Sequence, residues 1–162
     1  MCGRYTLFTD KEYQDIRKII RAVQEKGHEV KTGEIYPTNP APILVWEGKE
    51  TVPQAVKWGW PKFQGSGVLI NARAETAEEK NLFRKSVYTR RCVVPTTGFY
   101  EWDQEKAKYR FILPHASTLY LAGLYNEFQG ERRFLILTTE ANASVSFIHS
   151  RMPVIIFREM ID

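Results

Sequence analysis

The chemistry with the greatest reach sits at the start of the chain, in Met1-Cys2-Gly3-Arg4-Tyr5. A methionine before a small residue is normally trimmed after synthesis, which makes Cys2 the mature N-terminus. One residue then carries two nucleophiles, a thiol with an ordinary pKa of about 8.5 and an α-amine of about 8. An aldehyde that meets both forms a Schiff base on nitrogen and then closes a five-membered thiazolidine through sulfur. The second bond is intramolecular, so proximity favours it. Gly3 allows close backbone approach, and Arg4 adds a fixed positive charge beside the nucleophile. The competing reading of Cys2 is a small apolar residue packed near a chain end.

Two further residues can move protons. Glu101 lies between Tyr100 and Trp102 in an apolar stretch that reads as a strand, so its face also carries Phe99 and Asp103. A carboxyl group enclosed by rings is desolvated, and its pKa rises toward the range useful for acid–base work. The alternative is a half-exposed strand glutamate paired with Lys108 or Arg110 across a hairpin. His149 ends a helical-looking stretch and, with Arg151 two residues on, reads as a base. His28 and His115 stand in polar loops. Asn71 and Arg73 occupy a strand-to-helix junction, a common place for ligand groups. Their structural alternative is an Asx turn at Asn71 and an Arg73–Glu75 pair.

The elements that must position these residues follow from periodicity. Tyr13, Ile16, Ile19, Ile20 and Val23 recur at helical spacing, which predicts a helix from Thr9 or Asp10 to about Lys26, stopped by Gly27. Three prolines and Asn39 make residues 35–42 a rigid extended loop. A hairpin follows, from Ile43–Trp46 through Glu47-Gly48-Lys49 to Thr51–Trp58. In Trp58-Gly59-Trp60-Pro61 the two tryptophans either close the core or stack on bases from a rim. A short strand at 68–70 leads into a helix from Thr76 toward Tyr88, with Leu82, Phe83 and Val87 buried. Strands are expected at 91–95, 99–102, 109–113, 119–128 and 132–138, then a short helical stretch to His149 and a buried strand at 154–157.

At 162 residues with 43% hydrophobic content the chain reads as one domain, large enough for its own core. The economical fold is α+β, a curled, mainly antiparallel, barrel-like sheet with flanking helices. A formal charge of +4 biases it mildly toward phosphate partners. Cys2 and Cys92 fit neither a disulfide framework nor a metal-ligand spacing, so no metal and no cofactor are expected. A zinc site from Cys2, Cys92 and His149 is a distant alternative. The absence of an 18-residue apolar run points to a cytoplasmic protein with no membrane partner.

Five blocks closely resemble the SOS response-associated peptidase (SRAP) family, whose members process abasic sites. They are Met1-Cys2-Gly3-Arg4-Tyr5, Asn71-Ala72-Arg73-Ala74-Glu75-Thr76, Arg91-Cys92 through Gly98-Phe99-Tyr100-Glu101-Trp102, Leu137-Thr138-Thr139 and His149-Ser150-Arg151-Met152-Pro153. The resemblance implies that Cys2 forms a thiazolidine crosslink with the ring-opened abasic sugar in single-stranded DNA. It implies Glu101 and His149 as the acid–base pair and Asn71 as a holder of the sugar. Arg4, Arg73 and Arg151 are implied as DNA-backbone contacts. Gly3, Trp58, Trp60, Trp102 and Thr138 complete the implied DNA surface.

The expected partner is thus single-stranded DNA containing abasic sites, met at replication forks by a monomer associated with the nucleoid in a bacterium. Residues 1–162 are expected to form the family domain without the segment that usually follows the last Met-Pro strand. Two other functions remain open from the residues: a cysteine peptidase acting on its own leader, and a non-covalent binder of single-stranded or modified DNA. The crosslink further requires that Met1 be removed, since an acylated Cys2 nitrogen cannot form a Schiff base.

Overall fold

The computed structural model describes residues 2–161, the side chain at 116 excepted; Met1, on whose removal the Cys2 amine depends, and Asp162 lie outside the described residues. The chain opens with β1 (Tyr5–Leu7) and α1 (Gln14–Glu25), then β2 (Gly33–Ile35), β3 (Pro40–Trp46) and β4 (Thr51–Trp58). Next come β5 (Trp60–Pro61), β6 (Val68–Leu69), β7 (Asn71–Arg73) and α2 (Asn81–Thr89). The second half is almost all strand: β8 (Arg91–Thr96), β9 (Gly98–Trp102), β10 (Lys108–Phe111), β11 (Leu119–Phe128), β12 (Glu131–Glu140), β13 (Arg151–Pro153) and β14 (Ile155–Ile156).

The larger sheet runs β13-β12-β4-β3-β8-β11-β14, and β11 also pairs with β12. That extra pairing closes β12, β4, β3, β8 and β11 into a five-stranded barrel, which removes the open edges a curled sheet would otherwise expose. A four-stranded sheet, β10-β9-β1-β2, lies against it, and β5 pairs with β6. Most pairings are antiparallel, but β12 runs parallel to both β4 and β7. This is the α+β, barrel-like arrangement expected from the sequence.

The barrel interior is filled by alternate strand residues, among them Ile43, Val45, Val94, Leu121, Phe134 and Ile136, each at most 1% exposed. Trp58 stands at its centre, with ring centroids 5.2 Å from Tyr5 and 6.3 Å from Phe134. A second cluster beneath α2 gathers Trp60, Phe83, Leu124 and Leu135. At Gly123 in β11 an added Cβ would lie 2.7 Å from the Leu135 carbonyl and 2.9 Å from Cys92 Sγ. Only a residue without Cβ lets the two barrel strands pack at that distance.

Several boundaries differ from the sequence reading. α1 begins at Gln14 because neither Thr9 nor Asp10 makes a side-chain cap; residues 10–13 form a turn closed by the Tyr13 N–H on the Asp10 carbonyl. Its buried stripe of Ile16, Ile20 and Val23 and its stop at Gly27 (φ +82°) follow the expected spacing. The extended loop at 35–42 is in fact partly strand. Pro40 and Pro42 are accommodated in β3 because β8 meets that strand only at Leu44 and Val45.

The second helix is broken at Lys80 into a 3-10 turn (Ala77–Glu79) and α2, and Leu82 faces solvent at 37% exposure. The stretch before His149 is a series of turns, in which Asn142 Oδ1 accepts from the Ser144 N–H and so competes with helix. The final strand divides: β13 joins β12 and β14 joins β11, leaving Phe157 66% exposed.

Candidate active site at the N-terminal cysteine

Three neighbouring segments bring the candidate residues together. Residues 2–4 lead into β1, which lies beside β9, and the Tyr100 N–H donates to the Arg4 carbonyl at 3.0 Å. β9 has Gly98, Phe99 and Glu101 buried, with Tyr100 and Trp102 half-buried, so the strand period turns Glu101 inward with Phe99. The turn at 142–149 then delivers His149 to the same place, with His149 Nε2 3.8 Å from Glu101 Oε2.

Cys2 is fully buried, and its Sγ lies 3.8 Å from the Arg4 carbonyl. Burial, reinforced by the negative charge of Glu101, pushes its thiol up to about 12. The same desolvation raises the Glu101 carboxyl above the ordinary carboxylate range, with His149 opposing. Glu101 is 1% exposed and sits opposite Tyr109 in the β9–β10 register. It therefore does not form the cross-hairpin pair with Lys108 or Arg110. Lys108 instead pairs with Glu34.

Asn71 begins β7 next to Ile70, the residue that faces Gly3. Its Nδ2 donates to the Ile136 carbonyl at 3.3 Å, and its buried Oδ1 has no protein partner among the described residues. The Asx-turn alternative does not hold, and neither does the Arg73–Glu75 pair. Arg73 is exposed at the end of β7, while Glu75 binds Arg151.

Among the DNA-surface candidates, Arg4 and Trp102 form a ledge. The Arg4 guanidinium lies 4.2 Å from the Tyr36 ring centroid and 5.1 Å from that of Trp102, and 3.6 Å from Glu34. Lys108 joins the ledge over the Tyr100 ring at 4.1 Å. Gly3 sits beside the site with its Cα face open apart from Ile70 Cδ1 at 3.9 Å.

Trp58 and Trp60 require correction as base-stacking rings: they are 0% and 1% exposed, Trp58 packed against Tyr5 and Phe134 and Trp60 against Phe83 and Phe128. Their indoles are large enough that the core claims them whole. Thr138 is also buried, and its Oγ1 accepts from Arg151 Nη2 at 3.1 Å. Arg151 is 9% exposed, its guanidinium forked onto Glu75 at 2.5 and 3.0 Å. The guanidinium is thus directed at Glu75, and His149 meets the Arg151 backbone instead.

Sequence reasoning passed over Glu34 and Tyr36, and it offered Lys108 and Glu75 other partners, Glu101 and Arg73 respectively. Glu34 lies in β2, Tyr36 just after it and Lys108 far along the chain in β10, and no local pattern marks them. Glu75 lay inside a noted block, four residues past the buried Asn71, but its partner is 76 positions away. Among the described residues no group of three or more His, Cys, Asp or Glu side chains is gathered as a metal site. Among the described residues no helix is long and apolar enough to cross a membrane.

The family model described as SOS response associated peptidase (SRAP) matches residues 1–162. The chain is 35% identical to the abasic site processing protein YoqW of Bacillus subtilis, covering 98% of this chain and 77% of that one. It is 29% identical to the abasic site processing protein YedK of Escherichia coli, over 98% of this chain and 77% of that protein. A crystal structure of a protein from Bacteroides thetaiotaomicron superposes with a TM-score of 0.76 at 26% identity, covering 98% of this chain and 78% of the other. One from Bordetella bronchiseptica shares the fold at a TM-score of 0.77 and 22% identity, over 99% and 86% of the two chains. The chain belongs to the SRAP family.

Proposed function

We propose that this protein processes abasic sites in single-stranded DNA by bonding Cys2 covalently to the opened sugar. The supporting observation is the buried Cys2 thiol within the field of Glu101, itself 3.8 Å from His149. Relatives named abasic site processing proteins support the substrate class.

In this reading the reactive form is the one from which Met1 has been removed. The Cys2 amine adds to the aldehyde carbon, and the oxygen departs as water to leave a Schiff base. The thiol sulfur then attacks the same carbon: a C–S bond forms, the C=N bond becomes single, and the thiol proton moves to nitrogen. The net change is loss of one water, with no oxidant or reductant required. Glu101, raised by burial, supplies a proton to the departing oxygen and then accepts the thiol proton. That second role matters because a thiol raised to about 12 is not ionised in advance at neutral pH.

Asn71 Oδ1 is a buried acceptor suited to a sugar hydroxyl. Arg4 and Arg73 bind phosphate without reading sequence, and Trp102 offers a ring to a flanking base. A Schiff base alone acidifies the adjacent carbon and invites β-elimination of the 3′ phosphate. Sulfur addition removes that electron sink, so the crosslink shields the lesion.

The test is to incubate the processed protein with single-stranded DNA carrying one abasic site and separate the products under denaturing conditions. The expected result is a denaturant-resistant adduct that Cys2→Ala loses, while the remaining amine is trapped by borohydride and cuts more strand. No adduct, or one indifferent to Cys2→Ala, would overturn the reading.

A further inference from the structure

Glu75 is absent from the chemistry above, yet it is joined to the reacting pair by a continuous set of bonds. It follows β7, and its carboxylate accepts from Arg151 Nη1 at 2.5 Å and Nη2 at 3.0 Å. Nη2 also reaches Thr138 Oγ1 at 3.1 Å. Thr138 is paired with Arg73 of β7 on one side and Pro153 of β13 on the other. The clamp therefore reaches across β12 and fastens the end of β7 to the start of β13. Its geometry is the bidentate fork that fixes a guanidinium in both direction and plane. The Arg151 pairing holds the Glu75 carboxyl down to about 2, so the clamp stays charged at any physiological pH.

The backbone of Arg151, held by that clamp, meets the ring of His149. The Arg151 N–H points at His149 Nδ1 from 3.0 Å, and the Arg151 carbonyl oxygen lies 3.2 Å from the same nitrogen. An N–H can only donate, so in the neutral ring Nδ1 accepts it and the proton resides on Nε2. In the charged ring Nδ1–H donates to the carbonyl instead. One residue's backbone serves both states, and in both of them Nε2 carries a hydrogen. Nε2 is the nitrogen 3.8 Å from Glu101 Oε2.

We infer that Glu75 is a positioning residue: by fixing Arg151 it sets the backbone that orients His149 with a hydrogen on Nε2 toward Glu101. His149 thus presents a hydrogen to Glu101 Oε2, and the proton that Glu101 supplies to the departing oxygen sits on its other carboxyl oxygen, whereas the sequence read His149 as a base. It also gives Arg151 an internal duty beside the DNA-backbone contact that the resemblance implies. The inference rests on the proposed function only for its kinetic consequence.

Two readouts test it. The first is nitrogen NMR of ring-labelled protein without DNA, at a pH where His149 is neutral. The wild-type ring should show the Nε2–H tautomer, with a scalar coupling across the Arg151 N–H···Nδ1 bond. Glu75→Ala and Glu75→Gln should both lose that coupling and mix the tautomers, while Glu75→Asp should restore much of it. The second readout is single-turnover adduct formation, expected to slow about 10- to 100-fold in Glu75→Ala and Glu75→Gln and to recover with Glu75→Asp.

A wild-type ring with hydrogen on Nδ1 would overturn the inference. So would an unchanged spectrum in folded Glu75→Gln, the isosteric variant that guards against gross misfolding. If the wild type forms no adduct while the ring signature still answers to Glu75, the proposed function fails and the positioning role stands.

Discussion

The depth of Cys2 in the fold makes its reactivity a quantitative matter. Burial and the Glu101 charge raise the thiol to about 12, which lowers the thiolate fraction at neutral pH on the order of a thousandfold. The thiolate is the alkylating species, so iodoacetamide should modify Cys2 about a thousand times more slowly than a Cys-Gly-Arg peptide. Burial adds further protection, since the reagent must also reach a fully covered sulfur.

The assay is a quenched time course read by mass spectrometry of the N-terminal peptide, with urea-unfolded protein as the reference for intrinsic reactivity. Cys92 is 5% exposed and likewise raised by burial, so it serves as a second protected thiol in the same sample. Because the Glu101 charge contributes to the rise at Cys2, Glu101→Gln should speed Cys2 modification while leaving Cys92 unchanged. A folded-state rate within about tenfold of the free peptide would refute the reasoning. The sulfur would then be ionised in advance, and the step in which Glu101 takes the thiol proton would be unnecessary.

The raised Glu101 carboxyl also predicts a trade between stability and activity. A carboxyl raised on folding contributes fully while protonated in both states, and stability declines as pH rises through its unfolded value toward its folded one. Glu101→Gln should therefore match the wild-type Tm below about pH 4 and exceed it above, while crosslinking slows. A variant less stable at neutral pH would contradict this. Trp58→Ala should cost about 3–5 kcal/mol in urea unfolding, as for a large core side chain. Trp102→Ala should instead weaken single-strand binding by about 1–3 kcal/mol with little effect on stability; the opposite pattern would return Trp58 to the DNA surface. Gly123→Ala should destabilise by about 1–3 kcal/mol, because a backbone carbonyl at 2.7 Å cannot yield easily; a neutral result would show the barrel strands free to shift.

What the sequence revealed of this molecule depended on distance along the chain. The alternation in 98–102 correctly turned Glu101 inward, and the spacing of Ile16, Ile20 and Val23 marked the buried stripe of α1. Those are local patterns governed by the periods of strand and helix. The break of the second helix at Lys80 and the turns at 142–149 went unread because local polar groups and packing override propensity there.

The tryptophans teach the same lesson differently. Glycine and proline around Trp58 and Trp60 look like a rim, but barrel closure between β11 and β12 folds that corner inward. The candidate site was legible as a set of residue types and only partly as a geometry. Cys2, Asn71, Glu101 and His149 could be singled out, whereas the Arg4 ledge with Tyr36 and Lys108 needs β10, β9, β1 and β2 brought side by side in one sheet. The Glu75–Arg151 clamp spans 76 residues and left no trace in local composition.

The most direct measurement is the chemical identity of the bond itself. Protein lacking Met1 is reacted with single-stranded abasic DNA, digested with nuclease and protease without borohydride, and the N-terminal peptide is sequenced by mass spectrometry. The account predicts that Cys2 carries the sugar remnant as a ring engaging both its nitrogen and its sulfur, formed with loss of one water and resistant to alkylation at sulfur. A remnant on a lysine, or one on Cys2 that leaves the sulfur free to alkylate, would contradict it.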